Sequence, residues 1–107
     1  MYARVTLLEL DPVRFDVPAA LERFQALVLP DLRSQPGYEG VYLLANEEGK
    51  GVVLTIWASA ENAEAGLTSG FYAAQLEKFV ALFRAPPGRE SYEVVFAEAP
   101  ELAGSTE

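Results

Sequence analysis

Four short segments with the two-residue period of β-strands and two with helical periodicity follow one another in the order βαββαβ, and both alternating faces of the strand segments are mainly apolar. Four strands of this length form one sheet, and two helices cover only one of its faces. The other face therefore needs a partner.

The segments are bounded by ordinary signals. Tyr2 to Glu9 alternates Ala3, Val5 and Leu7 with Tyr2, Arg4 and Thr6. Asp16 ahead of Pro18 suits a helix start, and Val17, Ala20, Leu21, Phe24, Leu27 and Val28 recur at helical spacing. Pro30 has no N–H to bond back to Ala26, so the helix kinks or ends there, and Gln35-Pro36-Gly37 forms a turn. Tyr38 to Asn46 and Gly51 to Ala58 pair as a hairpin around Glu47-Glu48-Gly49-Lys50. Ser59 caps a short helix from Ala60 to about Leu67, and Phe71 reopens a helix that runs through Leu82. After Pro86-Pro87-Gly88 the fourth strand runs from Ser91 to Glu98. The expectation is an α+β, ferredoxin-like domain over residues 1–99: a four-stranded antiparallel sheet with both helices on one face, and an acidic, fraying tail over residues 100–107.

The alternation assigns Ala3, Val5, Leu7, Val41, Leu43, Ala45, Val52, Leu54, Ile56, Val95 and Ala97 to one side. It assigns Tyr2, Arg4, Thr6, Leu8, Tyr42, Leu44, Val53, Thr55, Trp57, Tyr92, Val94 and Phe96 to the other. Whichever set the helices cover, the remaining one exposes more contiguous apolar surface than a monomer tolerates. A homodimer packed sheet against sheet, a dimeric α/β barrel, is the expected assembly.

Composition narrows the partners. Of 107 residues, 16 are acidic and 8 basic, a net charge of −8 that repels the phosphates of nucleic acid and of anionic membranes. No apolar run nears the ~20 residues of a membrane span, and Met1 to Glu9 does not read as a signal peptide, so a cytoplasmic setting is expected. The chain has no Cys and no His, which removes thiolate nucleophiles, Cys/His zinc sites and the usual general base near neutral pH. No carboxylate loop has calcium-binding spacing, and no metal or cofactor is expected.

Gln35-Pro36-Gly37-Tyr38-Glu39-Gly40 before the second strand and Leu54-Thr55-Ile56-Trp57-Ala58-Ser59 closing the third, within this architecture, resemble the antibiotic biosynthesis monooxygenase domain family over residues 2 to 98. The resemblance implies the dimeric barrel and one of several chemistries that this scaffold supports. Its haem-degrading branch uses an Asn on strand one, a Trp on the second helix region and an axial His. The corresponding positions here are Thr6 to Leu8 without an Asn, Gly66 and Gln75. Haem is therefore not an expected ligand. The quinone-forming branch needs a pocket for a phenolic substrate, a means of holding its anion, and access for oxygen, because the substrate anion supplies the electrons.

In that light Arg4, Trp57 and Tyr72 are the candidate catalytic residues, with Thr6, Tyr42, Thr55, Gln75 and Tyr92 as candidate substrate contacts. Arg4 offers a fork of donors to a phenolate, or pairs with an acid such as Glu93. Trp57 serves as pocket wall or core aromatic, and Tyr72 shares a helical stripe with Leu76 and Phe79 that suits core packing equally. Two functions fit: a cofactor-independent monooxygenase on a phenol or quinol, and a non-catalytic ligand-binding or stress-related dimer of the same fold.

Overall fold

The computed structural model describes residues 1–11, 13 and 16–98. Strands β1 (Tyr2–Glu9), β2 (Tyr38–Ala45), β3 (Lys50–Trp57) and β4 (Gly88–Glu93) form one antiparallel sheet in the order β2-β3-β1-β4. Helices α1 (Val17–Leu27), α2 (Leu29–Arg33), α3 (Ala60–Thr68) and α4 (Phe71–Glu77) complete the α+β, ferredoxin-like order. No helix among the described residues is long and apolar enough to cross a membrane. The acidic tail expected from residue 100 onward lies outside the described residues.

Local chemistry places each helix. The Asp16 side chain accepts from the Ala19 N–H at 3.2 Å and caps α1, with proline in the first turn. Pro30 breaks the run, so α1 ends at Leu27 and α2 starts afresh at Leu29. Ser59 caps α3 by accepting from the Asn62 N–H at 3.1 Å, and its own hydroxyl donates to the Asn62 side chain at 2.9 Å. Gly37, with φ of +79°, carries the turn into β2 pressed against that same Asn62, and a Cβ there would collide with it.

Three boundaries differ from the sequence expectation by more than one residue. The helix from Phe71 stops at Glu77 and gives way to a 3₁₀ turn over Val80–Leu82. The chain is drawn away there by the end of β1: the Asp11 N–H donates to Leu82 O, Phe83 forms a bridge with Leu10, and Arg84 N–H donates to Glu9 O. Strand β4 starts at Gly88 instead of Ser91 and ends at Glu93 instead of Glu98. Glu93 already lies opposite Tyr2, so β1 offers only one further bond, from Val94 N–H to Met1 O.

Register corrects the expected faces. Arg4 pairs with Thr55 and Ser91, and Thr6 with Val53 and Arg89, so these residues and Trp57 share one face. Because Val41 pairs with Thr55 and Leu43 with Val53, those two join that face, and Tyr42 and Leu44 lie on the other. Tyr92, opposite Ala3, also lies on the other face.

The helices cover the Arg4 face, with Phe24, Val28, Leu32, Trp57 and Ala63 as the buried core. On the uncovered face Leu7, Tyr42, Leu44 and Tyr92 are 41 to 53% exposed.

Candidate functional site

Between the covered sheet face and the helices lies a cavity of about 260 Å³. Its floor comes from the two interior strands through Arg4, Thr6, Thr55 and Trp57, and its roof from α1, α2, α4 and the turn beyond, through residues such as Leu21, Phe24, Leu32, Phe71, Leu76 and Phe79. An apolar enclosure with a few polar groups gathered in one place is the usual form of a small-ligand site.

Arg4 is the single charged residue in the described lining, and it is 2% exposed. Its guanidinium donates through Nη2 to the Ala63 carbonyl and lies 5.1 Å from the Tyr72 ring centre and 5.9 Å from that of Trp57. Nε is buried without a hydrogen-bond partner, and no described carboxylate pairs with the side chain. Burial pushes the Arg4 pKa below its ordinary value, and Tyr72 partly offsets this. The group stays a cation, with Glu64 as the acid and Arg89 as the second cation that act on it from nearby.

The neighbouring polar groups are held by one another. Thr6 Oγ1 and the Tyr72 hydroxyl share a 2.6 Å hydrogen bond, whichever of them donates. Thr55 Oγ1 accepts from the Trp57 indole N–H at 3.0 Å and donates to the Arg4 carbonyl at 3.5 Å. Trp57, 1% exposed, packs edge-on against Tyr38 at 5.9 Å and so is both core aromatic and cavity wall.

Five of the eight sequence candidates thus meet: Arg4, Thr6, Thr55, Trp57 and Tyr72. Gln75 also lines the cavity, but its amide donates to Asp31 at 3.3 Å and accepts from Lys78 at 2.8 Å. Tyr42 and Tyr92 lie on the opposite face, where the Tyr92 hydroxyl donates to Glu90. Arg89, which no motif in the sequence singles out, stands 5.6 Å from the Tyr72 ring centre. Only the β1–β4 register, which sets Arg89 opposite Thr6, reveals it. Of the roof residues, Leu21, Phe24, Leu76 and Phe79 stand in helical stripes, a spacing that suits core packing equally. Chemically the arrangement can bind an anion, stack a planar ring and exclude water; no carboxylate or imidazole stands in the described lining.

No model of a protein family matches the sequence, and neither does any curated protein. Solved structures do match. A protein of unknown function from Nitrosomonas europaea shares 26% identity over 94% of each chain, with a TM-score of 0.70. A monooxygenase from the ActVA-Orf6 gene of Streptomyces coelicolor, solved with nanaomycin D, shares 20% over 94% of this chain and 92% of that one, with a TM-score of 0.71. The haem-degrader MhuD of Mycobacterium tuberculosis shares 21% over 92% of this chain and all of that one, with a TM-score of 0.70. Strand order, helix placement and these superpositions agree: the chain has the fold that these proteins share with putative antibiotic biosynthesis monooxygenases from Nitrosomonas europaea and Caulobacter crescentus.

Proposed function

We propose that this protein is a cofactor-independent oxygenase acting on a phenolic or quinol substrate, which it holds as an anion beside Arg4. The observation that carries the reading is the buried guanidinium, in no salt bridge with a described carboxylate, set at the floor of an apolar cavity near the rings of Trp57 and Tyr72. A nearby cation favours the charged form of a phenol, so the proton leaves to water and the ring becomes electron-rich. With an open para position, one phenol and one O₂ then give one para-quinone and one water. In this scheme Arg4 stabilises the anion, Trp57 and Tyr72 flank the ring, and Thr6, Thr55 and Gln75 complete the contacts.

The haem-degrading alternative fits the residues less well. Neither His nor Cys is available as an axial ligand, and Gln75 is engaged with Asp31 and Lys78. One observation favours the non-catalytic reading: the described lining offers no base to accept the phenol proton. The proposal further includes a cytoplasmic setting and a homodimer closed over the uncovered sheet face, whose apolar residues support it.

An oxygen electrode decides between catalysis and binding. With 1-naphthol the protein should consume oxygen in step with quinone formation, Arg4→Gln should lower the rate roughly a hundredfold, and Arg4→Lys should retain part of it. Ligand binding without oxygen uptake establishes the binding protein instead.

A further inference from the structure

We infer that the cavity takes a phenol with a long apolar chain, and that the chain lies over Gly51 at the end away from Arg4; the inference rests on the proposed reading of this cavity as the ligand site, and not on its oxygen chemistry. The floor of the cavity is long and its chemistry is divided. Arg4, Thr6, Leu8 and Leu10 follow one another along β1 and its continuation, and Thr55, Val53 and Gly51 run beside them on β3. From Arg4 to Leu10 the extended chain spans roughly 20 Å. The guanidinium and hydroxyls of this floor stand at Arg4, Thr6 and Thr55, all in one half. The other half is hydrocarbon. Leu82 and Phe83 close it, joined to the end of β1 by the bond from Asp11 N–H to Leu82 O and the bridge between Phe83 and Leu10.

Gly51 shapes that apolar half. Across the sheet, one row of the floor is Leu43, Val53 and Thr6, and the next is Ala45, Gly51 and Leu8, so side-chain bulk falls away on β2 and β3 just where the polar groups end. The backbone does not require a glycine there, since the φ of Gly51 lies outside the left-handed region. Sterics do not require one either. A Cβ on residue 51 would meet Leu10 Cδ1 and Leu44 O at 3.6 Å and Leu8 Cβ at 3.8 Å, all ordinary contact distances. A glycine inside a strand weakens it, and often marks the close approach of a ligand or of another backbone. The Leu44 carbonyl, the one backbone atom among those three neighbours, belongs to the strand already paired with β3, so the approaching group is what fills the cavity. A hydrocarbon chain matches such a lining: it needs no hydrogen-bond partner, and each CH₂ group buried tightens binding by about fourfold.

Calorimetric titration with 3-methylphenol, 3-butylphenol and 3-octylphenol, each with an open para position, tests this. The natural protein should bind the octyl compound about a hundredfold or more tightly than the methyl compound. Gly51→Val, whose side chain takes the room of about two or three chain carbons, should weaken octyl binding roughly tenfold or more and leave methyl binding within about twofold. Gly51→Ala should give a smaller loss of the same kind while keeping the urea midpoint of the natural protein, which separates lost room from lost folding and carries the comparison if the valine variant does not fold. Equal affinity for the three phenols overturns the inference, and so do Gly51 variants that fold and either bind all three as the natural protein does or lose methyl and octyl binding alike. No binding by any of them overturns it together with the ligand-site reading. The expected order without oxygen uptake leaves it standing and ends the oxygenase reading, whereas oxygen uptake with 3-methylphenol and no gain with chain length ends the inference alone.

Discussion

Thr55 does more than line the cavity: its one hydroxyl satisfies the Trp57 indole N–H and bonds to the carbonyl of Arg4. Thr55→Val keeps the outline of the side chain and strands the indole donor in a site 1% exposed, so it should destabilise the protein by about 1–3 kcal/mol in urea unfolding. Trp57→Phe, which removes the stranded donor, should cost less in the Thr55→Val background than in the natural protein. At this scale the sequence was informative wherever residues belong to β1 and β3. Arg4, Thr6, Thr55 and Trp57 fall on one face by simple alternation, and the two strands pair directly. The expected arrangement puts Tyr42 and Tyr92 on the wrong side because alternation says which residues of a strand share a face, not which face meets which across strands. The irregularity between Tyr38 and Gly40 and the start of β4 at Gly88 decide that, and neither has a periodic signature.

Among the elements, the break at Pro30 creates a junction that α4 then clasps. Lys78 Nζ donates to the Leu27 carbonyl at 2.6 Å, to Asp31 at 2.9 Å and to Gln75 at 2.8 Å, linking the ends of α1, α2 and α4 beside the cavity. The hydrogen bonds from Lys78 and Gln75 hold the Asp31 carboxyl below its usual pKa. A carboxyl held low in the folded state stabilises the fold above its unfolded-state value, about 3.9, and that contribution disappears as pH falls through the folded-state value. Asp31→Asn should therefore lower the urea midpoint slightly at pH 7, and the gap from the natural protein should close on acidification below about pH 4. An unchanged gap at low pH would show that the carboxylate charge is not what ties these helices. Proline and cap signals made the helix starts legible, whereas the end of α4 depends on contacts with residues 9 to 11, far away in sequence.

For the molecule as a whole, the sheet face away from the helices carries Val5, Leu7, Tyr42, Leu44, Leu54 and Tyr92, and no helix among the described residues lies over it. Sedimentation equilibrium at micromolar concentration should give about twice the 11.7 kDa chain mass, and Leu44→Glu should shift the population to monomer without loss of secondary structure. A natural protein that sediments as one chain rules out the barrel. That both faces are apolar was plain from the sequence, since it holds for either assignment of sides. The layout of the cavity also bears on how such a protein changes over time. Most of its polar lining, Arg4, Thr6 and Thr55, stands on β1 and β3, the interior strands, where substitutions disturb two neighbours at once, while the length and breadth of the space are set by helical residues that touch the sheet from above. Substitutions in the helices can therefore reshape the space while the polar floor stays as it is, so the outline of the cavity and its chemistry can change separately.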